Sequence, residues 1–87
     1  MPKLEKQYRG VVQKVFPHGS HGPYAKARVE NLGTVTFSLT SPVWEEETFP
    51  EEGVWVIMTR LRRKRAGWRA EECRFLRPED ELATATK

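Results

Sequence analysis

The chain of 87 residues contains a single cysteine, Cys73, and has no long apolar run. One cysteine excludes an internal disulfide, so a small hydrophobic core must hold the fold without covalent cross-links, as is typical of a reducing compartment. The longest apolar stretch, residues 54–58, is far shorter than the roughly 20 residues needed to span a bilayer, and residues 1–10 lack an apolar signal core. These absences predict a cytoplasmic protein that neither enters a membrane nor is secreted.

Motifs for catalysis are also missing. Asp80 is the only aspartate and lies in a polar stretch, and no serine has a recognisable His and Asp arrangement. No phosphate-binding glycine motif is present. His18, His21 and Cys73 offer three potential zinc ligands, but a fourth ligand and the paired-cysteine spacing of structural zinc sites are absent. We therefore expect a binding module that is not an enzyme and uses neither a cofactor nor a metal.

Charged residues, in contrast, are abundant at 31% and are distributed in blocks. Residues 1–41 carry a net charge of +4, residues 42–53 carry −5 from five glutamates, and residues 54–70 carry +6 without any acidic residue. Such blocks are usually solvated surface. They gain a function if the fold gathers the two basic blocks on one face, because Lys and Arg together neutralise backbone phosphates.

Alternation of apolar and polar residues predicts five short strands. They cover residues 8–16, 24–30, 34–39, 54–61 and 68–76. A loop with two Gly and two Pro residues separates the first two, and Asn31 and Gly33 provide the turn of a hairpin between the second and third. Residues 62–67 are predicted to form the loop before the last strand, which lacks strict alternation and is expected to contain a bulge near Glu71.

Residues 40–53 interrupt the strand pattern. Ser41 followed by Pro42 fits a helix N-cap with proline at the first helical position, which predicts one short helix or turn between strands three and four. The two ends of the chain are polar and lack periodicity. The sequence thus predicts a flexible N-terminus at residues 1–6, a single barrel over residues 7–77, and a disordered polar tail at residues 78–87.

Five short strands in one small domain favour a closed barrel, because a barrel has no exposed edge strands and the chain is too short to supply two sheets. The predicted fold is all-β, a five-stranded Greek-key barrel of the OB-fold type. An SH3-like barrel is the alternative, since it has a similar number of strands and differs mainly in strand order.

Four segments carry a resemblance to a known family. They are residues 10–12 in the first strand, residues 35–39, residues 50–53 before the fourth strand, and residues 67–74 in the last. In these segments the chain resembles the cold-shock domain, and it is similar in outline to the barrel of bacterial translation initiation factor one. The resemblance implies an OB-fold that binds RNA or single-stranded DNA.

The chain departs from the cold-shock pattern in its aromatic residues. Cold-shock domains carry aromatic-rich segments on the second and third strands, whose rings stack on unpaired bases, whereas Tyr24 is the only ring in the first of these segments here. Thr36 and Ser38 occupy the outward positions in the second. Initiation factor one, which relies more on basic loops and contacts with ribosomal RNA, is therefore the better comparison.

The segment 60–69 is the main functional candidate. It holds six basic residues in ten, beside a tryptophan, in the connection between strands four and five that flanks the binding face of OB-folds. Arginine grips phosphate with two hydrogen bonds and stacks on bases, which suits nucleic acid, although a solvated hairpin end has the same composition. The polar side of the second strand is expected to line the same groove. The predicted site comprises Tyr24, Lys26, Arg28, Arg60, Arg62, Arg63, Lys64, Arg65, Trp68 and Arg69.

We therefore expect a small module that binds RNA or single-stranded DNA in a basic, partly aromatic groove, alone or within a larger nucleoprotein complex. The alternative is a barrel that docks as an accessory subunit by protein contacts, without affinity for nucleic acid. Trp44 and Phe49 bear on this choice, and we expect both to be buried over the open end of the barrel. Their exposure together with Trp55 would instead make an aromatic and acidic patch suited to a protein partner.

Overall fold

A computed structural model describes residues 6–65 and 67–80 of the chain. Within these ranges five strands are present: β1 (Gln7–Phe16), β2 (Tyr24–Val29), β3 (Gly33–Ser38), β4 (Trp55–Lys64) and β5 (Gly67–Phe75). Each predicted strand is confirmed, with ends shifted by at most three residues. Most of the predicted flexible N-terminus and of the predicted polar tail lies outside the described residues.

The five strands close into one barrel in the order β1-β2-β3-β5-β4, with β4 returning to pair with β1. All neighbouring strands are antiparallel except β3 and β5, which are parallel. This is the predicted all-β, five-stranded Greek-key barrel, and it fits an OB-fold-like architecture. In an SH3-like barrel β3 would pair with the next strand in the chain, whereas here it pairs with β5.

Alternating residues of the strands fill the barrel, with Phe37 and Met58 as its largest fully buried side chains. Gly10 of β1 lies directly against this core. A Cβ atom at this position would come within 2.9 Å of Met58 Cε and 3.0 Å of the Arg28 carbonyl oxygen. Glycine therefore lets β1 approach the core and its neighbour β2 this closely without a shift of Met58 or of the Arg28 carbonyl.

Two irregularities decide which side chains face outward. In β1 the register with β2 shifts between Val12 and Lys14, so the strand bulges at Gln13. In β4 the backbone of Arg60 has a φ of 58°, while the register with β5 is the same on both sides of it. The bulge predicted near Glu71 is thus absent from the β4–β5 pairing, because the irregular backbone lies on the opposite strand.

A short helix or a turn was predicted between β3 and β4, and the structure has a turn, at residues 41–43. Its backbone pairs with β5, since Glu45 N–H donates to the Cys73 carbonyl at 3.0 Å and Cys73 N–H donates to the Val43 carbonyl at 2.9 Å. Backbone groups used in this way cannot form helical bonds.

A helical turn occurs at residues 78–80, after β5. No helix in the described ranges has the length and apolar character of a membrane-spanning segment.

Trp44 packs into the core beside this turn. Its side chain is 4% exposed, stacks against Phe37 with 5.8 Å between ring centroids, and meets Phe75 edge-on at 5.1 Å. The indole N–H donates to the Thr48 carbonyl at 2.8 Å, so burial leaves no unsatisfied donor. The predicted burial is confirmed for Trp44 and wrong for Phe49, which is 45% exposed.

An ion pair holds residues 77–80 against β5. The two terminal nitrogens of Arg74 donate to the two carboxylate oxygens of Asp80 at 2.8 and 2.9 Å, and Arg77 N–H donates to the same carboxylate at 2.7 Å. Pro78 follows at the first position of the helical turn, so Asp80 bonds the preceding N–H as in a capping box. Hydrogen bonding from Arg74 lowers the pKa of the Asp80 carboxyl to about 2.

We expect Asp80→Asn to lower the free energy of unfolding by about 1 to 2 kcal/mol, because it removes the charge from a partly buried bidentate pair. Since the pKa of Asp80 is lowered to about 2 in the fold, the pair contributes fully above the unfolded-state pKa of about 4 and loses its contribution as the pH falls toward about 2. Urea unfolding of wild type and variant across this pH range measures both effects. Glu79→Gln, at an exposed neighbouring position, is the control, and an equal loss in the control contradicts the assignment.

Candidate nucleic-acid interface

A row of basic side chains crosses the outer face of four neighbouring strands. Lys14 of β1 pairs with Lys26 of β2, and Lys26 pairs with Thr36 of β3. Thr36 pairs in turn with Arg69 of β5. We call Lys14, Lys26, Thr36 and Arg69 the basic row. The arrangement results from barrel closure: β3 pairs with β2 on one side and with β5 on the other, so the basic residues of the two blocks face the same outer surface.

The basic row faces solvent and contains no acidic residue. Lys26 points outward because Ala25 and Ala27 on either side of it are fully buried. The one neutral member, Thr36, uses its hydroxyl to donate to a carbonyl of β5 at 3.3 Å. With strands about 4.8 Å apart, the row is roughly 14 Å long, and roughly 10 Å separates the Cα atoms of Lys26 and Arg69.

Phe16 and Tyr24 form a stacked aromatic pair beside the basic row. They are cross-strand neighbours, with 4.6 Å between ring centroids and 11° between ring planes. Lys26 Nζ lies 5.6 Å and Lys14 Nζ 5.9 Å from the centroid of the Phe16 ring, within the range of cation–π attraction. Rings and ammonium groups thus form one continuous surface at this end.

Lys14 and Phe16 are absent from the predicted site, and the bulge at Gln13 explains why. Counting alternate residues from the buried Val12 places Lys14 and Phe16 on the inner face of the barrel. The extra residue of the bulge reverses the alternation, which turns both side chains outward. The signal that could have revealed it is the pair of consecutive polar residues, Gln13 and Lys14, before Val15, which packs against the core.

The prediction that residues 62–67 form a loop is wrong. β4 continues to Lys64, which pairs with Gly67 at the start of β5. Residues 62–65 are exposed, so this end of the hairpin needs no apolar side and shows no alternation in the sequence. Gly67, with a φ of 127°, permits the tight connection.

The tip of the hairpin carries a second aromatic and basic cluster. Arg63 pairs across the hairpin with Trp68, and its guanidinium carbon lies 5.4 Å from the centroid of the indole ring. Trp68 is half-buried and packs against the core, and Lys64 and Arg65 are exposed at the tip. Trp68 directly precedes Arg69 in β5 and pairs with the buried Val35, so this cluster lies on the opposite side of the strand from the basic row, at the end of the barrel.

Arg60 and Arg62, also members of the predicted site, lie beside carboxylates. Arg62 Nε is 2.6 Å from a carboxylate oxygen of Glu71, and Arg60 Nε is 4.0 Å from one of Glu72. Glu72 also accepts a hydrogen bond of 2.6 Å from the Thr59 hydroxyl. Phosphate would have to compete with these carboxylates, so both arginines are less suited to bind it than the members of the basic row.

Arg28 is placed further along β2. It is the next outward residue after Lys26, and it pairs with Val11 of β1 and Thr34 of β3. Two residues of strand correspond to about 7 Å, so Arg28 lies beside the basic row but not in it. The structure thus places Tyr24, Lys26 and Arg69 on one outer surface, with Arg28 at its edge, whereas Trp68 lies on the other side of β5.

Among residues 6–65 and 67–80, no group of three or more His, Cys, Asp or Glu side chains lies close enough to hold a metal ion. His18 is exposed in the loop between β1 and β2, whereas Cys73 is buried in the core. Burial, with the nearby Glu45 carboxylate as a second cause, raises the pKa of the Cys73 thiol. The thiol is therefore protonated and shielded at neutral pH.

In comparisons with known proteins, no family model, no curated protein and no solved structure matches this chain. The closed barrel fits an OB-fold-like architecture, and the resemblance to the cold-shock domain and to initiation factor one stays a prediction. Any functional assignment therefore depends on the surface chemistry of the barrel.

We expect the native protein to resist alkylation of Cys73 by iodoacetamide, because the thiol is both buried and protonated. The reaction should be at least ~100-fold slower than in guanidinium chloride, where the chain is unfolded. Mass spectrometry of timed samples measures the rate. Phe37→Ala, which opens the core next to Trp44, should accelerate the reaction, and rapid modification of the native wild type contradicts the described burial.

Proposed function

We propose that this protein is a small nucleic-acid-binding module that binds RNA or single-stranded DNA across the basic row. The single observation that carries the proposal is the alignment of Lys14, Lys26 and Arg69 across β1, β2 and β5, with only the neutral Thr36 of β3 between Lys26 and Arg69. Closely spaced cations of this kind neutralise successive phosphates and release their counterions, which is the dominant source of affinity for a nucleic-acid backbone.

The aromatic pair at one end of the basic row favours a single strand over a duplex. Phe16 and Tyr24 lie on the same outer face as Lys14 and Lys26, two residues further along their strands. Aromatic faces bind bases only when those bases are unstacked from their neighbours, and guanidinium planes act in the same way. A strand that crosses the row can therefore contact cations with its phosphates and rings with its bases.

The competing function is a barrel that docks by protein contacts alone. Phe49 favours it, because this ring is 45% exposed in a segment that also carries five glutamates. An exposed aromatic residue with acidic neighbours suits a basic protein surface. This candidate predicts no affinity for nucleic acid, whereas the basic row predicts affinity that falls steeply with salt.

A titration of labelled oligo(dT) and oligo(U) at about 50 and about 200 mM salt tests the proposal. We expect wild type to bind both oligonucleotides and Lys26→Gln/Arg69→Gln to bind them about 10- to 100-fold more weakly. The slope of log affinity against log salt concentration should become shallower by about 1 to 2, because one or two phosphate contacts are lost. Both substitutions are on the outer face, so the melting temperature should be nearly unchanged.

Lys6→Gln/Arg77→Gln is the matched control, since it removes the same net charge from exposed positions outside the basic row. If this control weakens binding as much as the test variant, general charge and not the row is responsible. Absence of wild-type binding at low salt refutes the proposal and supports the docking alternative.

A further inference from the structure

Trp55, the first residue of β4, exposes 51% of its surface although its backbone is firmly held. It pairs with Val11 of β1, and its carbonyl accepts a hydrogen bond of 3.1 Å from Leu76 N–H. The indole is therefore presented from the barrel wall and not from a loose loop. A large aromatic side chain fixed in this way is a common feature of binding surfaces.

A groove of about 680 Å³ surrounds this indole. Val11 and Leu76 provide an apolar floor next to Trp55, and Arg9 and Arg28 supply two guanidinium groups. The volume is in the range of small-molecule sites and admits a nucleobase with its sugar. Glu30 also lines the groove, so the net charge of its ionisable side chains is positive by one.

The groove is continuous with the basic row. Trp55 pairs with Val11, and Val11 pairs with Arg28, so these three residues form a second row next to the first. Arg28 lies about 7 Å along β2 from Lys26, and Trp55 lies two strand spacings further around the barrel, or roughly 10 Å. The path from Arg69 through Lys26 to Trp55 is therefore roughly 22 Å long, which corresponds to about six to seven nucleotides at about 3.4 Å each.

We propose that the groove around Trp55 binds a base and the adjoining phosphates of the same single strand that crosses the basic row. This inference rests on the proposed function and adds to it the length of the ligand and a second aromatic contact. Trp55 offers the base a flat, exposed face, and Arg9 and Arg28 pair with phosphates on either side. Positive charge and continuity with the basic row favour this occupant over an acidic peptide.

Oligo(dT) of about 4 and about 12 nucleotides distinguishes the two sites by length, because only the longer strand can reach both. We expect the 12-mer to bind wild type more tightly than the 4-mer. Trp55→Val should lose this advantage, with the 12-mer weakened roughly 5- to 100-fold and the 4-mer almost unaffected. Trp55→Phe keeps an aromatic face and should recover part of the loss.

Phe49→Val is the matched control, since it removes a comparably exposed aromatic residue from the acidic segment. Thermal unfolding should show that all three variants fold. If Trp55→Val binds the 12-mer as wild type does, the inference is overturned and the groove serves another ligand, such as an acidic peptide. Equally tight binding of dTMP and of the 12-mer to wild type also overturns it, because a strand path is then not needed.

Failure of this inference can be told apart from failure of the proposed function. If only the inference fails, binding still depends on salt and on Lys26 and Arg69, but not on strand length or on Trp55. If the proposed function fails, neither oligonucleotide binds at low salt.

Discussion

The parallel pairing of β3 with β5 is the contact on which the outer surface depends. Val35 and Phe37 of β3 and Ala70 of β5 are buried, and their burial fixes the register of this pair. Thr36 and Arg69, which lie between these positions, are then forced to face solvent next to each other. A slip of one residue would turn Arg69 toward the core, where an unpaired charge is strongly unfavourable. The apolar interior thus dictates where the cations lie.

β5 also separates the two charged lobes of the molecule. Arg69 is near its start, whereas Glu46 accepts a hydrogen bond from Phe75 N–H at its end and an ion-pair contact from Arg77 at 3.3 Å. Six residues of strand place these groups roughly 20 Å apart, about two Debye lengths at physiological salt. The acidic segment between β3 and β4 is therefore held where it interferes little with anions at the basic row.

The sequence is sufficient to predict the strands and the barrel, because side chains that alternate between a core and solvent leave a period of two. It fails where that alternation stops or changes phase. The hairpin beyond Arg62 has no core beneath it, and the bulge at Gln13 reverses the faces of Lys14 and Phe16. The carboxylates beside Arg60 and Arg62 were missed because residues 62–67 were predicted as a loop, whereas the hairpin continues there and places Glu71 and Glu72 next to β4. Lys26 was found because β2 alternates regularly, and Arg69 was found because it belongs to the basic segment 60–69.

Gly10 illustrates how the interior and the exterior are constrained by different residues. A side chain at this position would displace Met58 or the backbone of β2, so substitution there perturbs the core. Lys14, Lys26 and Arg69 contribute nothing to that packing, and exchange of their side chains leaves the barrel wall intact. Such a scaffold can diverge toward new ligands through outward positions alone while its centre is retained.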